Sequence, residues 1–323
     1  MQILNRYSVV CLILFSGLSP RVLHAQNTRT PAAVPPFTLK PLDHNAYAAI
    51  DDAKGDSGAN AGFVIGDNGV LVIDTFEHED AAKRLLVEIR KLTNMPIKFV
   101  VNTHYHLDHV AGNSVFKEAG AVVLAQQNVF DWIHSENLKF FGKDIKPEQK
   151  AMVEALAPPD ILYANGIDLK LGSRSITVIV RPGHTGGDSM VTIPDAHVVF
   201  CGDLFWNKTL PNLIDASTES WTKTLQPFTD STAALAFVPG HGEVGDAKDV
   251  KAFQGYLQDL RSMVAGPVKE GKTGDDLVNA VLPALKAKYG EWNFFPYFAK
   301  RNILDMAAEL QGKKRTPPIP QTM

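Results

Sequence analysis

Asn102-Thr103-His104-Tyr105-His106-Leu107-Asp108-His109 follows directly on the mostly β-branched run Ile97–Val101. His104, His106, Asp108 and His109 fall within six residues just past an apolar strand signal. Neutral imidazole and carboxylate are good ligands for zinc and other borderline metals. Four such groups packed this tightly are costly to bury unless they hold a metal. Upstream, apolar runs at 62–65 and 70–74 flank Gly66-Asp67-Asn68-Gly69, a strong turn signal, so the pair reads as a hairpin. Residues 78–92 place Ala82, Leu85, Leu86 and Ile89 at helical spacing. Downstream, a helix is expected from near His109 and a strand over 121–124. The β-α-β order predicts an α/β protein, a sheet covered by helices.

Three later segments carry single ligand-type side chains beside glycine, where the backbone can fold closely around a site. They are Pro182-Gly183-His184-Thr185-Gly186-Gly187-Asp188, Cys201-Gly202-Asp203 and Pro239-Gly240-His241-Gly242, and each follows or ends a strand signal. Further strands are expected at 168–171, 176–180, 189–193, 198–201 and 235–238. Helices are expected at 217–228, capped by Ser217, and at 248–264 and 275–289. No linker of disordered composition separates the two rounds, so residues 41–312 read as one domain of two similar halves. Within it, 126–159 alternates aromatics (Phe130, Trp132, Phe140, Phe141) with charges and ends in Pro158-Pro159. That stretch reads as a helical insertion, either a lid over the site or an ordinary surface helix pair. Residues 26–40, with three prolines, read as an exposed leader, and 313–323 as a loose tail.

The first 25 residues read as a secretory signal peptide: Arg6, an apolar run over 9–18, Pro20, then the small Ala25. The run is short of the about 20 apolar residues of a membrane span. An exported, periplasmic protein with no membrane attachment after signal removal is the expectation. Cys11 lies in the signal, leaving Cys201 alone, so no intrachain disulfide is expected in the mature chain. Hydrophobic residues at 45% and charged residues at 21% are ordinary globular values. A formal charge of −3 gives no reason to expect nucleic acid as a partner, and nothing here fixes the oligomeric state.

Asp74, the cluster at 104–109, His184, Asp203 and His241, in this order, resemble the metallo-β-lactamase-fold hydrolase superfamily over residues 61–242. The resemblance implies an αββα sandwich with a metal site at one edge between the sheets. It implies a first metal on His104, His106 and His184 and a second on Asp108, His109 and His241, with Asp203 bridging. Two zinc ions are implied, with iron or manganese as alternatives. Asp74 would orient ligands, and Asp108 would in addition orient the nucleophile and pass a proton to the leaving group. The expected activity is water-driven cleavage of a small acyl substrate: a carboxyl ester, thioester or lactone.

A class B β-lactamase is the main alternative and an iron-dependent redox enzyme a distant one. Class B1 β-lactamases carry cysteine where this chain has Asp203, and the diiron reductase branch carries glutamate where it has His106. Tyr105, Trp206 and Asn212 are candidate substrate-pocket residues, with Asn207, Trp132 and His134 as further contributors. Cys201 reads as packing. The late aromatics Trp292, Phe294, Phe295, Tyr297 and Phe298 fit a pocket roof, a core or an interface equally well.

Overall fold

Alternation within one strand shows how the molecule is layered. In Val70–Ile73, Val70 and Val72 join one apolar cluster while Leu71 and Ile73 join another, and all four are buried. A strand buried on both faces must lie in a sheet covered on both sides. The computed structural model describes residues 34–52, 55–230 and 232–318, so the expected signal peptide lies outside the described residues.

The strands are β1 (Phe37–Pro41), β2 (Ala46–Asp51), β3 (Ala61–Ile65), β4 (Val70–Ile73), β5 (Ile97–Val101), β6 (Val122–Gln126), β7 (Ile161–Tyr163), β8 (Gly166–Leu171), β9 (Arg174–Val180), β10 (Ser189–Ile193), β11 (Val198–Trp206) and β12 (Ala236–His241). The helices are α1 (Glu79–Leu92), α2 (Leu107–Val110), α3 (Asn113–Glu118), α4 (Gln127–Ser135), α5 (Pro147–Glu154), α6 (Thr218–Thr229), α7 (Ala247–Lys269), α8 (Gly274–Tyr289) and α9 (Phe295–Leu310).

β1 to β7 form one sheet in sequence order, antiparallel up to β4 and parallel from there. The second sheet runs β12-β11-β10-β9-β8, with only β11 and β12 parallel. Between the sheets Leu71, Ile73, Val101 and Leu124 meet Val178, Val191, Phe200 and Val238. At Gly62 the sheets come so close that a Cβ would collide with the Phe200 ring. α1 and α3 cover the outer face of the first sheet through Ala82, Leu85, Ile89 and Phe116. α6 to α9 cover the second through residues including Trp221, Phe253, Leu260 and Ile303. The architecture is therefore the αββα sandwich. Ser217 caps α6, its side chain accepting from the Ser220 amide.

Two segments behave differently from their composition. The stretch 26–40 reads as a leader, yet Phe37 is buried against Phe76 (ring centroids 5.2 Å apart) and starts β1 as an edge strand on β2. The stretch 313–323 reads as a loose tail, yet its described part is tied down: Pro317 is buried, Arg315 pairs with Glu136 and the Pro318 carbonyl accepts from Trp132 Nε1 at 2.9 Å.

Candidate metal centre

The sandwich gathers the ligand-type residues at one edge because each sits at, just past or close to the C-terminal end of a strand. Asp74 follows β4, residues 104–109 follow β5, His184 follows β9, Asp203 lies late in β11 and His241 ends β12. The loop after β5 is clamped by Asn102 and Asn113, whose side-chain amides exchange hydrogen bonds of 2.9 Å in both directions. After β9, Asp188 accepts from the Gly183 amide at 3.0 Å and the Thr185 amide at 2.8 Å, closing the turn that carries His184. On β11 a bulge at Gly202 breaks the alternation. Cys201 consequently faces the α6–α9 core while Asp203 enters the site. A Cβ on Gly240 would overlap the Asp203 carboxylate, so only glycine fits there.

Two donor groups result, His104/His106/His184/Asp203 and Asp108/His109/His241, each with donor atoms within 4.8 Å of one another. Asp203 faces both. Its Oδ2 lies 3.1 Å from His184 Nε2 and 3.7 Å from His104 Nε2. Its Oδ1 lies 3.0 Å from His109 Nε2 and 3.5 Å from His241 Nε2. Asp108 Oδ2 lies 3.3 Å from His241 Nε2 and 3.6 Å from His109 Nε2.

The outward nitrogens are engaged elsewhere. His109 Nδ1 is 2.8 Å from Asp74 Oδ2, which also accepts from the Thr103 hydroxyl, and His104 Nδ1 is 3.2 Å from that hydroxyl. By contrast His104 Nε2, His109 Nε2, His241 Nε2 and Asp203 Oδ1 are buried without a hydrogen-bond partner. Native interiors rarely orphan polar atoms, and four converging on one point fit a cation as the missing partner.

Charge within the cluster follows from the same contacts. Burial and the neighbouring His109 hold His104 well below the usual imidazole range. Burial works against charge on His109 and His241 too, yet Asp203 and Asp108 raise His109 well above that range and His241 to about 9. Asp203 is held well below the carboxylate range, burial being outweighed by four surrounding histidines. In the protein alone, protons on imidazole balance these carboxylates, a balance a divalent cation supplies better.

Sequence reasoning missed one partner, Asp215. His106 Nε2 lies 3.1 Å from Asp215 Oδ2, which turns Nδ1 toward His184 Nε2 at 3.0 Å. Lys139 Nζ pairs with the same carboxylate at 2.6 Å, and the Tyr105 hydroxyl donates to it. No local spacing signals this role, since Asp215 follows no strand and joins no cluster in the chain; only a search for carboxylates near a folded site finds it.

Residues 55–241 match the profile of the Metallo-beta-lactamase superfamily, a span running from just before the site's first elements to its last histidine. The chain belongs to that superfamily. Among curated proteins it is 24% identical over 265 residues to a linear primary-alkylsulfatase of Pseudomonas sp., covering 68% of this chain and 49% of that protein. It is 29% identical over 184 residues to a hydroxyacylglutathione hydrolase of Brucella ovis, covering 56% and 62%. The match thus spans about half the length of the first and less than two thirds of the second. Among solved structures, a metallo-beta-lactamase from Pontibacter korlensis aligns with a TM-score of 0.58 at 22% identity, over 69% of this chain and 99% of that one. DIM-1 metallo-beta-lactamase aligns at 0.55 and 21%, over 70% and 99%. Both are likenesses of fold.

A cavity of about 290 Å³ opens onto the two donor groups, with His106, Asp108, Asp203 and His241 in its wall. Trp206 and Asn212 line it, as do Phe140 and Phe141 from the insertion and Phe294 and Phe298 from the late aromatic cluster. Tyr105 does not: it is fully buried with Ala125, Val129 and Trp132, and its hydroxyl is spent on Asp215 behind His106. Asn207 instead donates to the Glu243 carbonyl, Trp132 to Pro318, and His134 pairs with the Leu156 carbonyl. Trp292 packs on Tyr256 and Tyr289, Phe295 is buried and Tyr297 is exposed, so the late aromatics divide between pocket, core and surface.

Proposed function

We propose that this chain is an exported hydrolase that holds two zinc ions and cleaves a carboxyl ester, thioester or lactone. The observation that carries the reading is the Asp203 carboxylate, one oxygen turned to each donor group. His104, His106 and His184 would hold one ion and Asp108, His109 and His241 the other, with Asp203 between them. Bound zinc supplies water of lowered pKa, about 7, and polarisation of the acyl carbonyl.

The chain's own groups do the rest. Asp108 is only half-buried and lines the cavity, so its carboxylate can orient the attacking water, take its proton and return it to the departing oxygen or sulfur. Trp206 stacks on His241 with centroids 3.9 Å apart, holding that ring and keeping water from one wall. The aromatic lining accepts an apolar acyl chain. Similarity to a hydroxyacylglutathione hydrolase supports an acyl substrate. Export rests on the signal-like residues 1–25. No helix among the described residues is long and apolar enough to cross a membrane.

The test is hydrolysis of an ester, thioester and lactone panel by protein stripped with a chelator and reloaded. Activity is expected to vanish on stripping and return with zinc. His104→Ala and Asp108→Ala should leave folded protein at least about a hundredfold less active, since each removes a donor at the reacting centre. Full activity in either variant would overturn the reading. Recovery with iron alone would point to redox chemistry, and efficient metal-dependent cephalosporin ring opening would replace the ester reading with the β-lactamase one.

A further inference from the structure

Glu77 lines the cavity on the side of Asp108 and His241 and has no use in the chemistry above. It lies just past β4, three residues after Asp74, with its amide bonded to the Ser57 carbonyl at 3.0 Å. Its side chain lies over Gly58, where an added Cβ would come within 2.6 Å of Glu77 Oε2 and 3.3 Å of the Asp108 Cβ. Gly58 has φ +84°, so the backbone there suits glycine twice over, by conformation and by the space the carboxylate takes. Glu77 is half-buried and its carboxylate makes no hydrogen bond or ion pair among the described residues; burial and the neighbouring Asp108 work against its charge, while His78 and His241 favour it. Asp108 and Asp203, the other acids of the lining, already face histidines.

No Lys or Arg is among the residues lining the cavity. Lys139, behind His106, is spent on Asp215 and Glu136, and Lys83, which shares a neighbouring surface pocket with Glu77, is spent on Glu79 and Asp80. The remaining wall is aromatic: Phe140, Phe141, Trp206, Phe294 and Phe298. Aromatic faces attract cations, most strongly where water is excluded. A carboxylate in such a wall that makes no ion pair of its own disfavours an anionic ligand and attracts a cationic one.

We infer that Glu77 is a specificity-determining residue that selects acyl substrates carrying a cationic, ammonium-type group and rejects those carrying an anionic one. This rests on the hydrolase reading of the same site and names its substrate class. Zinc held by the two donor groups would draw the acyl carbonyl toward them, and the group beyond the acyl carbon would then meet Glu77 and the aromatic wall.

The test compares three 4-nitrophenyl esters that share an acyl backbone: 4-trimethylammoniobutyrate, its neutral isostere 5,5-dimethylhexanoate, and glutarate. Rates on the full-length zinc-loaded protein are corrected by the metal-stripped blank. The expected order of kcat/KM is cationic, neutral, anionic, with at least about tenfold between the ends, the scale of one cation–π or buried-charge contact. In Glu77→Gln the cationic-to-anionic ratio should collapse toward one, and in Glu77→Lys it should invert; the ratio is the readout, whatever the absolute rates.

A second arm titrates benzyltrimethylammonium, which cannot ligate zinc, into the zinc-loaded protein by calorimetry. Its binding should weaken about tenfold or more in Glu77→Gln at unchanged zinc content. Ester hydrolysis with no charge order, or with an order that survives Glu77→Gln, overturns the inference and leaves the hydrolase standing. If no ester is cleaved, the hydrolase reading falls, and the calorimetric arm alone decides: Glu77-dependent binding supports the cation pocket, and absent or Glu77-independent binding overturns it.

Discussion

Asp215 decides which nitrogen of His106 faces the site. By engaging Nε2 it leaves Nδ1 as the donor beside His184, whereas His104 and His109 present Nε2 because Thr103 and Asp74 engage their Nδ1 atoms. Burial alone would raise the Asp215 carboxyl, but His106 and Lys139 pull it well below the usual range, so it stays an acceptor. Replacing it with Asn keeps the shape while letting the amide present either a donor or an acceptor to His106. Asp215→Asn should therefore weaken metal affinity or activity by about 10- to 100-fold with the fold intact, the usual cost of losing an outer partner of a ligand. Competition with a chromophoric chelator measures it. Unchanged affinity would mean that packing alone, chiefly the Phe140 ring 4.8 Å away, holds His106. The site histidines were legible because they crowd into six residues or sit beside glycine at strand ends. Asp215 was not, because 109 residues separate it from His106 and only folding joins them.

At the scale of elements, the central strands were readable as short apolar runs because both faces of each sheet are covered, and the covering helices by their 3.6-residue period. β1 was not, being an edge strand behind two prolines with one buried anchor, Phe37. The insertion shows the same limit. Its helical character follows from composition, but whether it is a lid or a surface pair depends on contacts far along the chain. The structure builds its 137–141 turn onto the ligand loop: Asn137 Nδ2 donates to the Tyr105 carbonyl at 2.8 Å, and Lys139 reaches Asp215. Phe140 is thereby set edge-on against His106 and into the cavity. Phe140→Ala should raise KM for an apolar ester about tenfold, the worth of one lost aromatic burial, with a smaller change in kcat. Steady-state kinetics separate the two. A loss confined to kcat would assign the ring to holding His106 instead of binding substrate.

The whole molecule closes with its C-terminal strap. After α9 the chain turns back: Lys314 donates to the Ala216 carbonyl, next to Asp215, Arg315 forks onto Glu136 with two bonds of 2.9 Å, and Pro318 takes the Trp132 indole. Composition (Lys-Lys-Arg-Thr-Pro-Pro) disguised this, because the partners that tie the strap down, Ala216, Glu136 and Trp132, lie about a hundred residues or more upstream. Glu136 also pairs with Lys139, so the strap, the insertion, Lys139 and Asp215 form one chain of contacts ending at His106. Exposed Arg315 alone adds little, as surface ion pairs do. The buried Trp132 N–H is different, since losing its acceptor leaves a desolvated donor at a cost of about 1–3 kcal/mol. Ending the chain after Gly312 should therefore lower Tm by several degrees and, because Glu136 and Lys139 lose a restraint, lower metal-dependent activity as well. Thermal unfolding and steady-state rates test both. A fall in Tm at full activity would confine the strap to stability, whereas unchanged values for both would show that the contacts of Arg315 and Pro318 contribute nothing measurable in solution.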